Sequence, residues 1–383
     1  MKRKISVTTG SRAEYGILRP VLQEIQSNKK LHLCLIVSGM HLSKKHGLTI
    51  NEIKNDGFSI SATVDMMPKG NSTYYMSTAL GKGVIEFSKV FKKLSPDINL
   101  VLGDRDEVLA STIAAYHMNI PNAHIHGGDR SKGGIDEYNR HAITKMSNIH
   151  FAATKKSYDR IIKMGENPKM VFLTGSPSID EITKNKITSR LNLTKHYPFT
   201  FIGDEILLLQ HSVTTQSELS SKHILSTLRA IVKTKRPTIA IAPNSDTGSR
   251  EIFAHLLSYA NKYSFIKVYP SIPRSDYLAM IKYCGVLVGN SSSGMIDASY
   301  FNTPVVNVGV RQEGRERGIN VIDVSEGNTN LIHSAILRAF QMRKRVKFTN
   351  GCIYGNGNAA KKIIHHLEKI HLNKDLIQKQ IFY

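Results

Sequence analysis

The sequence predicts an α/β protein built as two successive doubly wound domains with a cleft between them. Short β-rich runs alternate with helix-period segments from one end of the chain to the other, which implies βαβ units and parallel sheets. The runs are mostly unbroken apolar stretches, as parallel strands covered on both faces require. Near the middle the polar segment ITKNKITSRLNLTKHY (182–197) interrupts the alternation, and a second series of strands follows it.

The first series is KISVTT (4–9), LHLCLIVS (31–38), FSISATV (58–64), INLVLG (98–103), NAHIHG (122–127), IHFAAT (149–154) and MVFLTG (170–175). Amphipathic stretches such as ILRPVLQEIQ (17–26) and GVIEFSKVFKKL (83–94) separate these runs. The second series is EILLLQHS (205–212), PTIAIAPN (237–244), FIKVYPS (265–271), GVLVGNSSS (285–293), TPVVNVG (303–309) and INVIDV (319–324). Residues 1–180 are expected to form one Rossmann-like domain and 181–352 a second. Residues 353–383, containing NGNAAKKIIHHLEKIHL (356–372), are expected to add a last helix crossing back onto the first domain.

Bulk properties narrow the function. A chain of 383 residues with 41% hydrophobic and 21% charged content can bury two ordinary cores. No apolar run approaches the ~20 residues of a membrane span. The start, MKRKISVTTG, passes from basic residues directly into a strand without the apolar segment of a signal peptide, so a cytoplasmic location and no membrane partner are expected. Cys34, Cys284 and Cys352 are too few and too scattered for a disulfide framework or a metal knuckle. The formal charge of +22 raises nucleic-acid binding. Lysine and arginine are nevertheless spread along the chain, with a local density at RKRVK (343–347), and no RNP, KH or zinc-finger pattern accompanies them. An anionic small substrate accounts for the charge as well, and nucleic acid is not expected as a partner.

In doubly wound sheets ligands bind beyond the carboxyl ends of the strands, so polar residues directly after an apolar run carry the most weight. TTGSRAEYG (8–16) is a small turn feeding a helix, where unpaired N–H groups and Arg12 suit an anion. In LGDRDEVLAS (102–111), Asp104 leaves the strand tip, Arg105 follows, and Asp106 and Glu107 read as first-turn acids complementing the helix dipole. VGNSSSGMID (288–297) is a cradle of small residues in which Ser291 and Ser292 converge on a phosphate and Asp297, a turn into the next helix, suits a ribose hydroxyl. RQEGRERG (311–318) brings Arg311 for a pyrophosphate, and Ser271 closes the FIKVYPS run. His211 in LLLQHSVTTQ stands at the first strand tip of the second domain.

The densest stretch is AHIHGGDRSKGGIDEYNRHAITK (123–145). His124 and His126 on one strand would point to the same face, a pattern that can bind zinc with Asp129 or Asp136 as third ligand. The bracketing by GG and KGG and the basic helix beginning at NRHAITK favour a polar loop instead, and no metal is expected.

Together these motifs resemble one family across nearly the whole chain, the hydrolysing UDP-N-acetylglucosamine 2-epimerases (the NeuC-like enzymes). The resemblance rests on TGSRAEYG, LGDRDEVLA, HIHGGDRSKGGIDEYNRHAITKMSNIHFAAT, TGSPSID, QHSVTT, VGNSSSGMIDA and TPVVNVGVRQEGRERG, in that order and spacing. It implies a GT-B-like fold, a homodimer or homotetramer, a UDP-sugar substrate, and no metal or nicotinamide cofactor. It implies that Ser291, Ser292 and Arg311 hold the diphosphate, Asp297 the ribose, and that Arg12 approaches the phosphates. Asp104 and Asp136 become the catalytic acids, with Arg140, four residues after Asp136 on the same helix face, holding the Asp136 charge, and His211 lies near the leaving diphosphate. Two departures from the family pattern stand out. Many members carry glutamate at the third position of HIEGG where this chain has His126, so that either His126 or Asp129 transfers the proton. Many also carry glutamate in place of Asp297. Close relatives act on UDP- or GDP-linked 2,4-diacetamido-2,4,6-trideoxy sugars, and a GT-B glycosyltransferase shares the nucleotide cradle.

Overall fold

The computed structural model describes residues 2–44, 47–70, 72–132, 134–185, 187–244, 246–345 and 352–382. Positions 346 and 347 of the basic stretch at 343–347 lie outside the described residues, as does Gly133 of the KGG sequence. The chain divides into two compact units. Residues 1–129, 136–184 and 354–383 form the first, and 130–135 with 185–353 form the second.

In chain order the first unit contains β1 (Arg3–Thr9), α1 (Arg12–Ser27), β2 (Leu31–Ser38), α2 (Ile50–Asn55), β3 (Ile60–Val64), α3 (Thr73–Leu94) and β4 (Ile98–Leu102). It continues with α4 (Asp106–His117), β5 (Asn122–Ile125), α5 (Ile135–Lys145), β6 (Ile149–Ala152), α6 (Lys155–Lys163), β7 (Val171–Leu173) and α7 (Pro177–Lys184). The second unit contains α8 (Arg190–His196), β8 (Ile206–Leu209), α9 (Ser220–Thr234), β9 (Thr238–Ile241), α10 (Ser249–Lys262), β10 (Ile266–Tyr269) and α11 (Arg274–Tyr283). There follow β11 (Val286–Gly289), α12 (Ser292–Met295), α13 (Asp297–Phe301), β12 (Val305–Val308), β13 (Val321–Val324) and α14 (Thr329–Arg345). Two last helices, α15 (Ala359–Lys369) and α16 (Lys374–Ile377), belong to the first unit.

Each predicted run contains one strand: β1 and β2 span their whole runs, β3 and β13 start two residues late, and most of the others stop before the polar residues that close the run. The sheets are parallel, in the orders β3-β2-β1-β4-β5-β6-β7 and β10-β9-β8-β11-β12-β13. In each, winding reverses at one seam: β1 beside β4 in the first unit and β8 beside β11 in the second. Such seams are where doubly wound sheets leave a crevice for ligands.

Helix periodicity explains the packing. Leu18, Val21, Leu22 and Ile25 recur one turn apart on α1 and bury against Ile5, Val7, Leu35 and Leu100 of the sheet. Ile363, Ile364 and Leu367 of α15 join the same core. At roughly 1.5–3 kcal/mol per buried aliphatic side chain, the three residues of α15 hold the closing helix firmly to this unit. In the second unit Ile224, Leu228 and Ile231 of α9 and Ile332, Ile336 and Ala339 of α14 cover β8, β11 and β12. Among the described residues no helix is long and apolar enough to cross a membrane.

Candidate active site

The seam of the first unit gathers charged groups. Gly103 turns the chain after β4 at φ 80°, and Asp104 follows it off the strand tip. Arg140 on α5 is only 2% exposed, yet its guanidinium forms ion pairs with Asp104, which is 21% exposed, and with Glu137 Oε2 at 3.3 Å. Asn139, its neighbour on α5, donates through Nδ2 to the Asp104 carbonyl at 3.1 Å and to Asp106 Oδ1 at 3.0 Å. Two adjacent residues of α5 therefore fix the turn that presents Asp104. A guanidinium suits the task because its planar fork serves two carboxylates at once. The helix begins at Ile135, a full turn before the NRHAITK start read from the sequence, and this places Asp136 and Glu137 in its first turn. Asp136 is half-buried there.

The two histidines do not share a strand face. β5 ends at Ile125, and His126 turns out of it at φ 64°. His124 is fully buried, with Nε2 donating to the Gly103 carbonyl at 2.8 Å and Nδ1 3.2 Å from Thr144 Oγ1. Burial pushes its pKa down to about 3, so it is neutral at ordinary pH and braces the Gly103 turn. His126 instead meets Asp129 Oδ2 at 3.0 Å through Nδ1 and Ser176 Oγ at 2.9 Å through Nε2. The zinc pattern read from H-x-H thus gives way to two separately engaged rings. Among the described residues no group of three or more His, Cys, Asp or Glu is placed to hold a metal ion.

Beneath the β1 turn lie two acids whose roles the sequence did not single out. Glu107 reads as a dipole-complementing acid but is buried, pairs with Arg105 Nε at 3.2 Å, and packs over Gly10 and Gly39 so closely that an added Cβ on either glycine would clash with its carboxyl. Ser11 caps α1, accepting from Glu14 N at 3.4 Å, and Glu14 Oε2 accepts from Gly10 N at 2.6 Å, a capping-box arrangement. Burial pushes the Glu14 carboxyl up to about 8, with the Glu107 charge adding to the shift and the Gly10 N–H and Arg105 opposing it. The S-x-x-E spacing of Ser11 and Glu14 was the available signal. Arg12 pairs with Glu52 Oε2 at 2.5 Å.

The seam of the second unit is built from amides and hydroxyls. Asn290, directly after β11, accepts from His211 N at 2.7 Å and donates to His211 O at 2.9 Å, clamping the end of the β8 run. Its own carbonyl accepts from Arg311 Nη1 at 3.3 Å and Gln312 Nε2 at 3.0 Å. His211 Nδ1 accepts from Asn244 N at 3.2 Å, which leaves the neutral ring's proton on Nε2. Gly289 permits the close approach: at φ 130°, an added Cβ would lie 2.0 Å from the Leu209 carbonyl oxygen. A small pocket opens here, lined among others by Gln210, His211, Ser220, His223, Asn290 and Glu326.

Ser291 caps α12, and its Oγ lies 2.9 Å from Ser293 Oγ, which also bonds the Tyr277 hydroxyl. Ser292 opens that helix. The single helix expected after the serines is two short ones, broken at Ile296 (φ −93°, ψ −67°), and Asp297 begins the second. Both Asp297 oxygens accept from Arg274, each at 3.0 Å, in a buried bidentate pair. Ser271 follows the edge strand β10, three residues before Arg274. The structure thus groups Asp104, Arg140, Asp129 and His126 in one unit and His211, Arg311, Ser291 and Asp297 in the other. Asn290, Glu137, Glu107, Glu14 and Arg274 are the additions.

A family model described as UDP-N-acetylglucosamine 2-epimerase matches residues 23–368. The UDP-N,N'-diacetylbacillosamine 2-epimerase (hydrolyzing) of Legionella pneumophila is 37% identical over 385 residues, covering 99% of each chain. The polysialic acid biosynthesis protein P7 of Escherichia coli is 34% identical over 380 residues, covering 99% of this chain and 95% of its own. Among solved structures, UDP-GlcNAc 2-epimerase from Neisseria meningitidis bound to UDP-GlcNAc superimposes with a TM-score of 0.79 at 19% identity, covering 96% of this chain and all of that one. The fold class is therefore the expected one, two Rossmann-like parallel sheets of the GT-B-like kind.

Proposed function

The chain belongs to the UDP-N-acetylglucosamine 2-epimerase family, and from that premise we propose that it is a hydrolysing sugar-nucleotide 2-epimerase. Its substrate is UDP-N-acetylglucosamine, and its products are UDP and N-acetylmannosamine destined for sialic or other nonulosonic acids. The observation that carries the reading is the buried Arg140 holding Asp104 and Glu137 at the tip of β4. Carboxylates fixed at a strand tip suit a reaction that develops positive charge at a sugar carbon.

The first step is anti elimination. A base removes the proton from C2, the C1–O bond breaks, and UDP departs with the bonding electrons, leaving a 2-acetamidoglucal. Water then adds across the double bond, with hydroxyl to C1 and a proton to C2 from the opposite face, inverting C2. Asp104 and Asp136 serve the sugar, with Arg140 paired to Asp104, and His126 with Asp129 supplies proton transfer where relatives use glutamate. Ser291, Ser292, Arg311, Arg12 and His211 serve the diphosphate. The Asp297–Arg274 pair serves the ribose side, with Ser271 and Arg105 at the margins of the substrate.

A second reading differs only in substrate. The 37% identical relative is named for a diacetylbacillosamine nucleotide, which favours a UDP- or GDP-linked 2,4-diacetamido-2,4,6-trideoxy sugar. One experiment serves both readings. The protein is incubated in D2O, without an acceptor, with UDP-N-acetylglucosamine and separately with the diacetamido nucleotides, and the products are followed by NMR. The expected result is a free 2-epimeric sugar carrying deuterium at C2, plus nucleoside diphosphate. Protium retained at C2 excludes the elimination. Turnover only when an acceptor sugar is added indicates a glycosyltransferase instead.

A further inference from the structure

His126 stands where the family resemblance places a glutamate, and a single residue exchange does not by itself make a proton-transfer group. Around its ring the structure provides a chain of hydrogen bonds whose directions can be assigned throughout. Asp129, as a carboxylate, only accepts, so His126 Nδ1 carries a proton and donates to Oδ2 at 3.0 Å. The neutral ring then has its lone pair on Nε2, 2.9 Å from Ser176 Oγ. That oxygen accepts the Ser178 N–H at 3.2 Å, which leaves the serine proton to donate to Nε2. On the other side Ser157 Oγ donates to Asp129 Oδ1 at 2.7 Å and accepts from Thr154 Oγ1 at 2.9 Å. His126, Asp129 and Ser176 are 6%, 3% and 1% exposed, so water does not compete for these bonds. They also hold His126 at φ 64°, a left-handed conformation that costs roughly 1–2 kcal/mol.

We propose that Asp129, His126 and Ser176 act as one directed proton relay in place of the family's glutamate: as Ser176 takes up a proton from the substrate side it hands its own hydroxyl proton to His126 Nε2, and the imidazolium that results is held by Asp129. The proposal rests on the epimerase reading given above. A hydroxyl suits this position because it has one proton and two lone pairs. It donates to the neutral ring and, by rotating its proton away, accepts from the protonated one. Both states of His126 are thereby held in one geometry, while Asp129 fixes the tautomer and stabilises the imidazolium. Among the described residues, charged and titratable groups reach the relay from several elements. Arg140 from α5 and Arg160 from α6 donate to the carbonyl oxygens of Asp129 and Gly128 in the loop, and His124 on β5 is held neutral by burial. Ser176 is the first of the two serines in TGSPSID, neither of which carried an assigned role in the sequence.

Two measurements test the relay. In the intact protein labelled with 15N-histidine, at a pH where the ring is neutral, His126 is expected to show a protonated Nδ1 and an unprotonated Nε2. A proton on Nε2 overturns the assignment. In turnover, Ser176→Ala is expected to lower kcat by about 100-fold or more with UDP affinity unchanged and the pH dependence of kcat displaced. Ser176→Thr, which keeps the hydroxyl, is expected to restore most of the rate and the original profile. Wild-type kcat and an unmoved profile in Ser176→Ala overturn the proposal, and if that variant does not fold the nitrogen spectrum of the wild type decides. Absence of turnover by the wild type on every acetamido sugar nucleotide counts against the function, whereas the spectrum still reads the relay.

Discussion

The two sheets share one strand order around their seams, yet the tips of those seams carry opposite chemistry. At β1 and β4 the side chains are Asp104, Glu107, Glu14 and Glu137, with Arg140 buried among the acids. At β8 and β11 they are Asn290, Gln210, Gln312 and three serines, with Arg311 as the cation on the Asn290 carbonyl. Topology therefore selects where a ligand is met, and the residues just past the strands select what happens to it. Carboxylates held on a buried guanidinium suit charge that changes during a reaction. Amide and hydroxyl donors together with Arg311 suit a diphosphate, which gains one negative charge when the C1–O bond breaks.

Variants can break this division of labour. The largest effect is expected from Arg140→Lys, since one ammonium cannot serve Asp104 and Glu137 as a fork does. Turnover should fall about 100-fold or more with UDP affinity kept, measured by NMR turnover and calorimetry. Asn290→Ala should do the reverse, weakening UDP binding about tenfold through release of the His211 backbone, with kcat at saturation nearly unchanged. Gly289→Ala tests the seam itself. The methyl would press on the Leu209 carbonyl, and thermal melting should show a loss of about 2 kcal/mol or more.

The smallest effect concerns Glu14. Its carboxyl is raised by burial from 4.5 to about 8, so between those values the folded state binds more protons than the unfolded one. Stability contributed by this group is therefore full below about 4.5 and declines as pH rises toward 8. Glu14→Gln should flatten that part of the melting-temperature profile, and an unchanged slope would show that Glu14 is not the titrating group.

Much of this was legible in the sequence because parallel strands are short apolar runs, and each predicted run holds a strand. The strand tips were legible too, since Gly103–Asp104 and Gly289–Asn290 break those runs abruptly. What escaped was pairing across sequence distance. Arg140 reaches Asp104, 36 positions away, and Arg274 reaches Asp297, and neither spacing has a periodicity to announce it. Glu107 looked like a first-turn acid because nothing local marks burial, which Gly10 and Gly39 impose from other loops. His124 and His126 looked alike because a strand ending at Ile125 and a φ of 64° at the next residue are tertiary outcomes.

In the proposed function the first unit performs the chemistry and the second holds the nucleotide. Asp104→Asn tests it most directly, with UDP affinity measured by calorimetry and turnover by NMR on the same preparation. UDP binding within about twofold of wild type, with turnover lost by a factor of about 10² or more, is the predicted result. Retained turnover, or UDP binding lost together with it, would contradict the claim.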